Sequence, residues 1–117
     1  MTLTMFGIPN CDTVKKARSW LDERGVAYAF HDYKKQGADL ARVMGWVERA
    51  GLDKVLNRAG TTFRKLSDEE KASAATPEGA AALMVEQPSL IKRPIVEHAG
   101  GLLVGFKPEE WTAVLGG

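Results

Sequence analysis

The chain has one cysteine, Cys11, within the stretch TMFGIPNCDTVKKAR that spans residues 4–18. The spacing around it excludes two thiol chemistries. A phosphatase-type loop needs an arginine six residues after the cysteine, but that position is Ala17, and Arg18 comes one residue late. A Cys-x-x-Cys dithiol needs a second cysteine at position 14, which is Val14. A disulfide of Cys11 must therefore form with another molecule. Glutathione is the obvious candidate, because attack of a thiolate on a mixed disulfide is ordinary exchange chemistry.

Such a role requires a thiolate. The Pro9-Asn10 turn before Cys11 and the helical pattern after it place the sulfur at a helix N-terminus. Unpaired backbone N–H groups and the helix dipole carry roughly half a positive charge there. A thiol of pKa ~8.5 is only about 3% ionised at pH 7, whereas at pKa ~6.5 about three quarters is thiolate. Asn10 in the turn, the Thr13 hydroxyl as a donor to sulfur and the charge of Lys15 are the expected supports, with exposed lysines weakened by screening. A free cysteine is more commonly a small buried hydrophobe, but that fate belongs to the middle of a strand rather than to a polar turn.

The remaining polar signals are cations. LNRAGTTFRKL holds Arg58 and Arg64, and IKRPIV holds Lys92 and Arg93 directly before Pro94. A guanidinium grips an oxyanion or carboxylate with two parallel hydrogen bonds. A cis peptide bond at Pro94 would bring its turn toward the thiol. His31 and His98 have no further ligands at metal spacing, and a metal site is not expected.

These residues need elements to hold them. Residues 2–7 read as a buried strand ended by Gly7 and Pro9, and residues 12–24 as a helix. Its apolar face is Val14, Ala17, Trp20 and Leu21, Gly25 is its cap, and Lys15, Lys16, Arg18 and Arg24 are expected to face water. Residues 26–33, VAYAFHDY, read as a second, parallel strand of a βαβ unit. A helix over 38–51 follows, with Leu40, Val43, Met44 and Val47 at apolar spacing, and then a short helix ending near Asn57 or Arg58. Ser67 with Glu70 forms a capping box, and Thr76 with Pro77 starts another helix. Residues 94–98, a Gly100-Gly101 turn and residues 102–106 read as a β-hairpin. Pro108 opens a last helix with Trp111, Val114 and Leu115 apolar. Trp20, Trp46 and Trp111 are all expected in the core.

The order β-α-β, helical insertion, β-β-α is that of an α/β thioredoxin-like fold with a mixed central sheet. It makes one domain over 1–117, with halves of about 1–36 and 89–117 around an insertion of about 37–88. A hydrophobic content of 44% is that of a globular protein, and the net charge of +1 gives no global field for nucleic acid or a membrane surface. No apolar run reaches the ~20 residues of a spanning helix. The first residues lack a signal-peptide pattern, and a lone cysteine suits a reducing cytoplasm.

With PNC at Cys11, LNR at Arg58 and RPI at Arg93, nearly the whole chain resembles the arsenate reductase-like family of thioredoxin-fold proteins, which also contains the Spx regulators. Within it the chain is most similar to the bacterial YffB-like branch, proposed to be glutathione-dependent thiol reductases. The resemblance implies Cys11 as the catalytic residue. It implies Arg58 and Arg93 as oxyanion-binding residues, with Arg64 as a further cation, and Pro94 as a cis proline. It implies glutathione as co-substrate, no tightly bound cofactor, a small oxidised or oxyanion substrate, and glutaredoxin as an additional partner. Arsenate reduction and Spx-type binding of RNA polymerase are its alternatives. One departure stands out. Glutathione-coupled arsenate reductases carry a third arginine before a proline near the C-terminus, and here that residue is Lys107, in FKPEE.

Overall fold

The computed structural model describes residues 3–98 and 101–115. The chain divides into two compact units: a sheet unit, from the described residues up to Tyr33 and those from Arg93 onward, and a helical insertion, Lys34–Lys92.

The sheet unit begins with β1 (Leu3–Gly7) and α1 (Asp12–Glu23). In α1 the buried residues are Val14, Ala17, Trp20 and Leu21, one stripe at helical spacing. A Cβ on Gly7 would lie 2.9 Å from a methyl of Val14, so only glycine lets β1 and α1 approach this closely. At the other end, Gly25 (φ +67°) donates its N–H to the carbonyl of Asp22, and Val26 donates to that of Leu21. Val26 is thus spent on closing the helix, which is why β2 is Tyr28–Asp32 and shorter than the expected 26–33. Of the four cations expected to face water, Lys15, Lys16 and Arg24 are exposed and Arg18 is not. Arg18 is half-buried, lies 4.4 Å over the ring of Phe30 and donates to the Tyr28 hydroxyl, while Arg24 lies 4.0 Å over Trp20.

β3 (Ile95–His98) and β4 (Gly101–Val104) complete a sheet of order β2-β1-β3-β4. β1 is parallel to β2 and antiparallel to β3, and β3 is antiparallel to β4, so the sheet is mixed. β4 stops short of the expected Phe106 because Gly105 (φ +76°) turns out of the strand and donates its N–H to the carbonyl of Pro94. The first glycine of the expected Gly100-Gly101 turn lies outside the described residues, while Gly101 pairs with His98 within the hairpin. Phe106 is freed to pack edge-on against Trp111, ring centroids 4.8 Å apart.

Helix α8 (Pro108–Leu115) brings in Trp111, fully buried, edge-on to Trp20 at 5.6 Å, its indole N–H donating to the Gly105 carbonyl. Trp111, Trp20, Val14, Met5, Val96 and Leu103 form the core on one face of the sheet. Val114, expected among the apolar contacts, is 45% exposed, because α8 buries a single turn around Trp111.

The insertion is a set of short, locally specified helices: α2 (Tyr33–Gln36) entering from β2, α3 (Leu40–Ala50), α4 (Leu52–Val55), α5 (Thr61–Arg64), α6 (Asp68–Ser73) and α7 (Pro77–Glu86). Asp39 caps α3 by accepting the N–H of Arg42. Leu40, the first residue after that cap, is 51% exposed, and the buried face is Val43, Trp46 and Val47. Ser67 and Glu70 form the expected capping box of α6, and Thr76 caps α7 ahead of Pro77. α3 packs on α7, and α7 leads into a 3₁₀ turn at Pro88–Leu90.

The insertion is wider than the expected 37–88. Leu56 bridges Ile91, Asn57 donates to the Leu90 carbonyl, and Lys92 donates to that of Val55. These bonds tie residues 90–92 to the end of α4 rather than to β3. Among the described residues no helix is long and apolar enough to cross a membrane.

Candidate functional site

Strand direction assembles the site. β1, β2 and β4 run the same way and β3 runs against them. Their carboxyl ends therefore meet the start of β3 at one edge of the sheet, where ligands of open α/β sheets commonly bind. That edge carries Cys11 after β1, Tyr33 after β2, Arg93-Pro94 before β3, and Phe106-Lys107 after β4.

Cys11 is the N-cap of α1, in extended backbone conformation (φ −82°, ψ 128°). The Pro9-Asn10 turn is closed by its N–H donating to the Ile8 carbonyl at 3.1 Å, and its carbonyl accepts the first helical bond, from Lys15, at 2.9 Å. The residue is half-buried, its side chain packed beside the core of the sheet unit. Burial pushes the thiol up. The backbone N–H groups of Val14 and Thr13 and the Arg93 guanidinium, by its charge and by a hydrogen bond, together outweigh that and hold the thiol below its ordinary value.

The expected supports of the thiolate are thereby revised. Thr13 acts through its backbone N–H, as a residue in the first turn must when the sulfur itself occupies the cap position. Lys15 contributes its backbone N–H to the Cys11 carbonyl while its side chain is exposed. Asn10 is exposed in the turn that aims the cysteine.

Arg93 is half-buried and joined to the buried Pro94 by a cis peptide bond. Its charge also reaches the buried Tyr33, whose phenol burial pushes up, with Arg93 lowering it and Glu97 raising it again. The phenol stays neutral there, beside a cation and an anion. Tyr33 in turn stacks on Phe6, which touches His31 with ring centroids 4.9 Å apart. Arg93 and Glu97 both act on Tyr33, a convergence that no sequence spacing announces. The strand order β2-β1-β3 is what joins them.

Lys107 is exposed, and its carbonyl accepts the N–H of Trp111 in the first turn of α8. Arg58 and Arg64 belong to the insertion. Arg58 donates to the carboxylate of Asp53, with side chains 42% and 90% exposed, and Arg64 is exposed at the end of α5. His31 and His98 lie on β2 and β3. Among the described residues no three His, Cys, Asp or Glu side chains gather as a metal site.

Comparison with known proteins agrees with this arrangement of elements. The ArsC family model matches residues 6–114. The solved structure of the YFFB protein is similar to this chain with a TM-score of 0.93 and 52% identity, over 97% of this chain and 98% of that one. An arsenate reductase (ArsC) related protein from Brucella melitensis is similar with a TM-score of 0.76 and 46% identity, over 98% and 95%. The global transcriptional regulator Spx of Streptococcus agalactiae is 28% identical over 97% of this chain and 82% of its own length.

Proposed function

This chain belongs to the ArsC family, whose arsenate reductase-like fold is of an oxidoreductase kind, and on that premise we propose that it is a glutathione-dependent thiol/disulfide oxidoreductase in which Cys11 alone carries the covalent chemistry. The observation that supports this reading is the setting of the sulfur: two backbone N–H groups and Arg93 stabilise its anion at the start of α1. The Cys11 thiolate attacks the glutathionyl sulfur of a mixed disulfide. The new Cys11–glutathione bond forms as the old S–S bond breaks, and the substrate leaves as a thiolate that takes a proton from water. A second glutathione thiolate then attacks the adduct, releasing glutathione disulfide and restoring the Cys11 thiolate. Arg93 steadies negative charge on the sulfurs in both steps. The reading carries with it a reducing cytoplasmic setting, no tightly bound cofactor, and glutaredoxin as an additional partner.

The test is direct. Wild type offered a glutathione mixed disulfide gains one glutathionyl group and turns over, whereas Cys11→Ser does neither. Full activity in Cys11→Ser overturns the reading.

Reduction of arsenate is a second reading, favoured by the Brucella melitensis relative. Lys107 keeps a positive charge where a guanidinium fork is expected but loses its planar two-point grip. Arsenate turnover is therefore expected in Lys107→Arg and not in wild type; turnover in wild type would make arsenate the substrate. Regulation of the Spx type has less support, because a dithiol switch needs a cysteine at position 14 and Val14 is fully buried.

A further inference from the structure

Within the sheet unit an open groove of about 420 Å³ runs along α1. Lys15, Lys16, Ser19 and Glu23 of α1 line it, and its apolar wall is Trp20, Phe106 and Pro108. Charge gives it a direction. Lys15 and Lys16 are exposed at one end, and Lys107, also exposed, stands in the chain between Phe106 and Pro108. Glu23 marks the other end, with Arg24 4.0 Å from its carboxylate. Trp20 lies between the two ends of the helix face, its ring centroid 6.4 Å from that of Phe106. Cys11 does not line the groove, but the near end, at Lys15, is only one helical turn or about 6 Å along the axis from it. A dedicated small-molecule site covers ~70–90% of its ligand, which a groove open on one side does not do. A chain segment laid along the groove needs no such enclosure, and aromatic side chains are where protein partners gain most of their contact energy.

Resting on the glutathione reading above, we propose that this groove docks the protein half of the substrate, a segment flanking a glutathionylated cysteine. An acidic residue of that segment meets Lys15 and Lys16, and an apolar side chain beyond it packs on Trp20, Phe106 and Pro108. The transfer step leaves room for this arrangement. Cys11 bonds the glutathionyl sulfur as the old S–S bond breaks, and the protein cysteine departs as a thiolate that takes a proton from water. The protein therefore lies on the far side of that bond from Cys11, free to lie on the surface beside it. At ~3.3 Å per residue of extended chain, a residue two places from the departing cysteine stands ~7 Å out, and the next two stand ~10–13 Å out. Those reaches bring an acidic residue to the near end and an apolar one to Trp20, and a longer segment can follow the groove to Glu23. Lys15, Lys16 and Lys107 disfavour a basic segment.

Three synthetic peptides, each with one glutathionylated cysteine, test this. The first is Phe-Leu-Glu-Gly-Cys-Gly-Glu-Leu-Phe, which offers the same order in both chain directions. The second has Lys in place of Glu, and the third has Gly at every position but the cysteine. The first peptide is expected to have a KM about tenfold below that of the third, in keeping with one exposed charge contact and one apolar contact, and the second to lose most of that advantage. Lys16→Glu cuts the preference for the first peptide about fivefold, and Ser19→Trp, which fills the groove with the protein's own side chain, also lowers it. An unreactive form of the first peptide, with Ser in place of Cys, shifts the backbone N–H resonances of residues 15–23 and the Trp20 indole N–H, a buried donor with no partner. Equal KM values for the three peptides, or a preference that survives both variants, overturn the docking site, while glutathionyl transfer to Cys11 leaves the glutathione reading standing. Sedimentation as a dimer that the unreactive peptide does not dissociate would give the groove to a second copy of the chain and overturn the docking site equally. If the mixed disulfide of glutathione and free cysteine forms no adduct at Cys11 either, the glutathione reading falls and the docking site falls with it.

Discussion

Arg93 and Arg58 carry the same guanidinium, yet the molecule uses them differently. Arg93 stands half-buried at the sheet edge, its charge reaching Cys11 and Tyr33, residues brought together by strands distant in sequence. Arg58 stands in the turn after α4 and pairs with Asp53, five residues away, with both side chains open to water. The first cation shifts the ionisation of a thiol. The second makes an exposed ion pair of the kind worth ~0–1 kcal/mol. The difference teaches that position relative to water sets what an arginine does, and that in the sheet unit this position is fixed by topology. In the insertion it is fixed by the neighbouring turn.

The comparison is broken most severely by removing the packing on which the sheet edge rests. Trp111 is fully buried, touches Trp20 and Phe106 edge-on, and ties its indole to Gly105, the residue that in turn bonds the Pro94 carbonyl. Trp111→Ala should cost about 3–5 kcal/mol in urea unfolding, the usual range for an emptied aromatic core site. A loss below about 1 kcal/mol would show that this aromatic cluster is not what holds the sheet unit together.

A smaller and more selective effect comes from Arg93→Ala. The thiol loses a charge and a donor, so the pH midpoint for alkylation by iodoacetamide rises and the rate at pH 7 falls several-fold. Arg93→Lys recovers the charge without the fork and should lie between the two. The linkage has a definite sign. A thiol whose folded pKa is lowered adds stability above its unfolded pKa of ~8.5, and that contribution disappears as pH falls through the folded value. Wild type should therefore gain stability relative to Arg93→Ala as pH rises through that window. An unchanged alkylation midpoint in Arg93→Ala would separate Arg93 from the thiol.

Much of this was legible from sequence because the signals were local. The capping box at Ser67 and Glu70, the Thr76-Pro77 helix start and the strand-turn-helix at Cys11 each occupy a few consecutive residues, and each is where its pattern placed it. Burial at a helix edge was less legible. Leu40 and Val114 fit the apolar period yet face water, because short helices bury only their middle turns. Arg18 reads as a surface charge but lies over Phe30, since a guanidinium can stack on an aromatic face while its N–H groups keep a polar partner, here the Tyr28 hydroxyl. Least legible was Tyr33, on which Arg93 and Glu97 both act. Sixty residues separate Tyr33 from Arg93, and only the pairing of β1 with both β2 and β3 makes them neighbours.

The smallest expected effect completes the contrast between the two arginines. Asp53→Ala removes the carboxylate that Arg58 holds, but both groups keep access to water, so neither is left desolvated. The loss of stability should stay within about 1 kcal/mol and shrink further when salt is raised to 1 M, where the screening length falls to ~3 Å. A double-mutant cycle with Arg58→Ala isolates the pair from the separate effects of each residue. A coupling energy above about 2 kcal/mol, insensitive to salt, would mean that this corner of the insertion shields its ion pair from water despite the exposure of both side chains. The contrast between the two arginines would then lie in their partners rather than in their exposure.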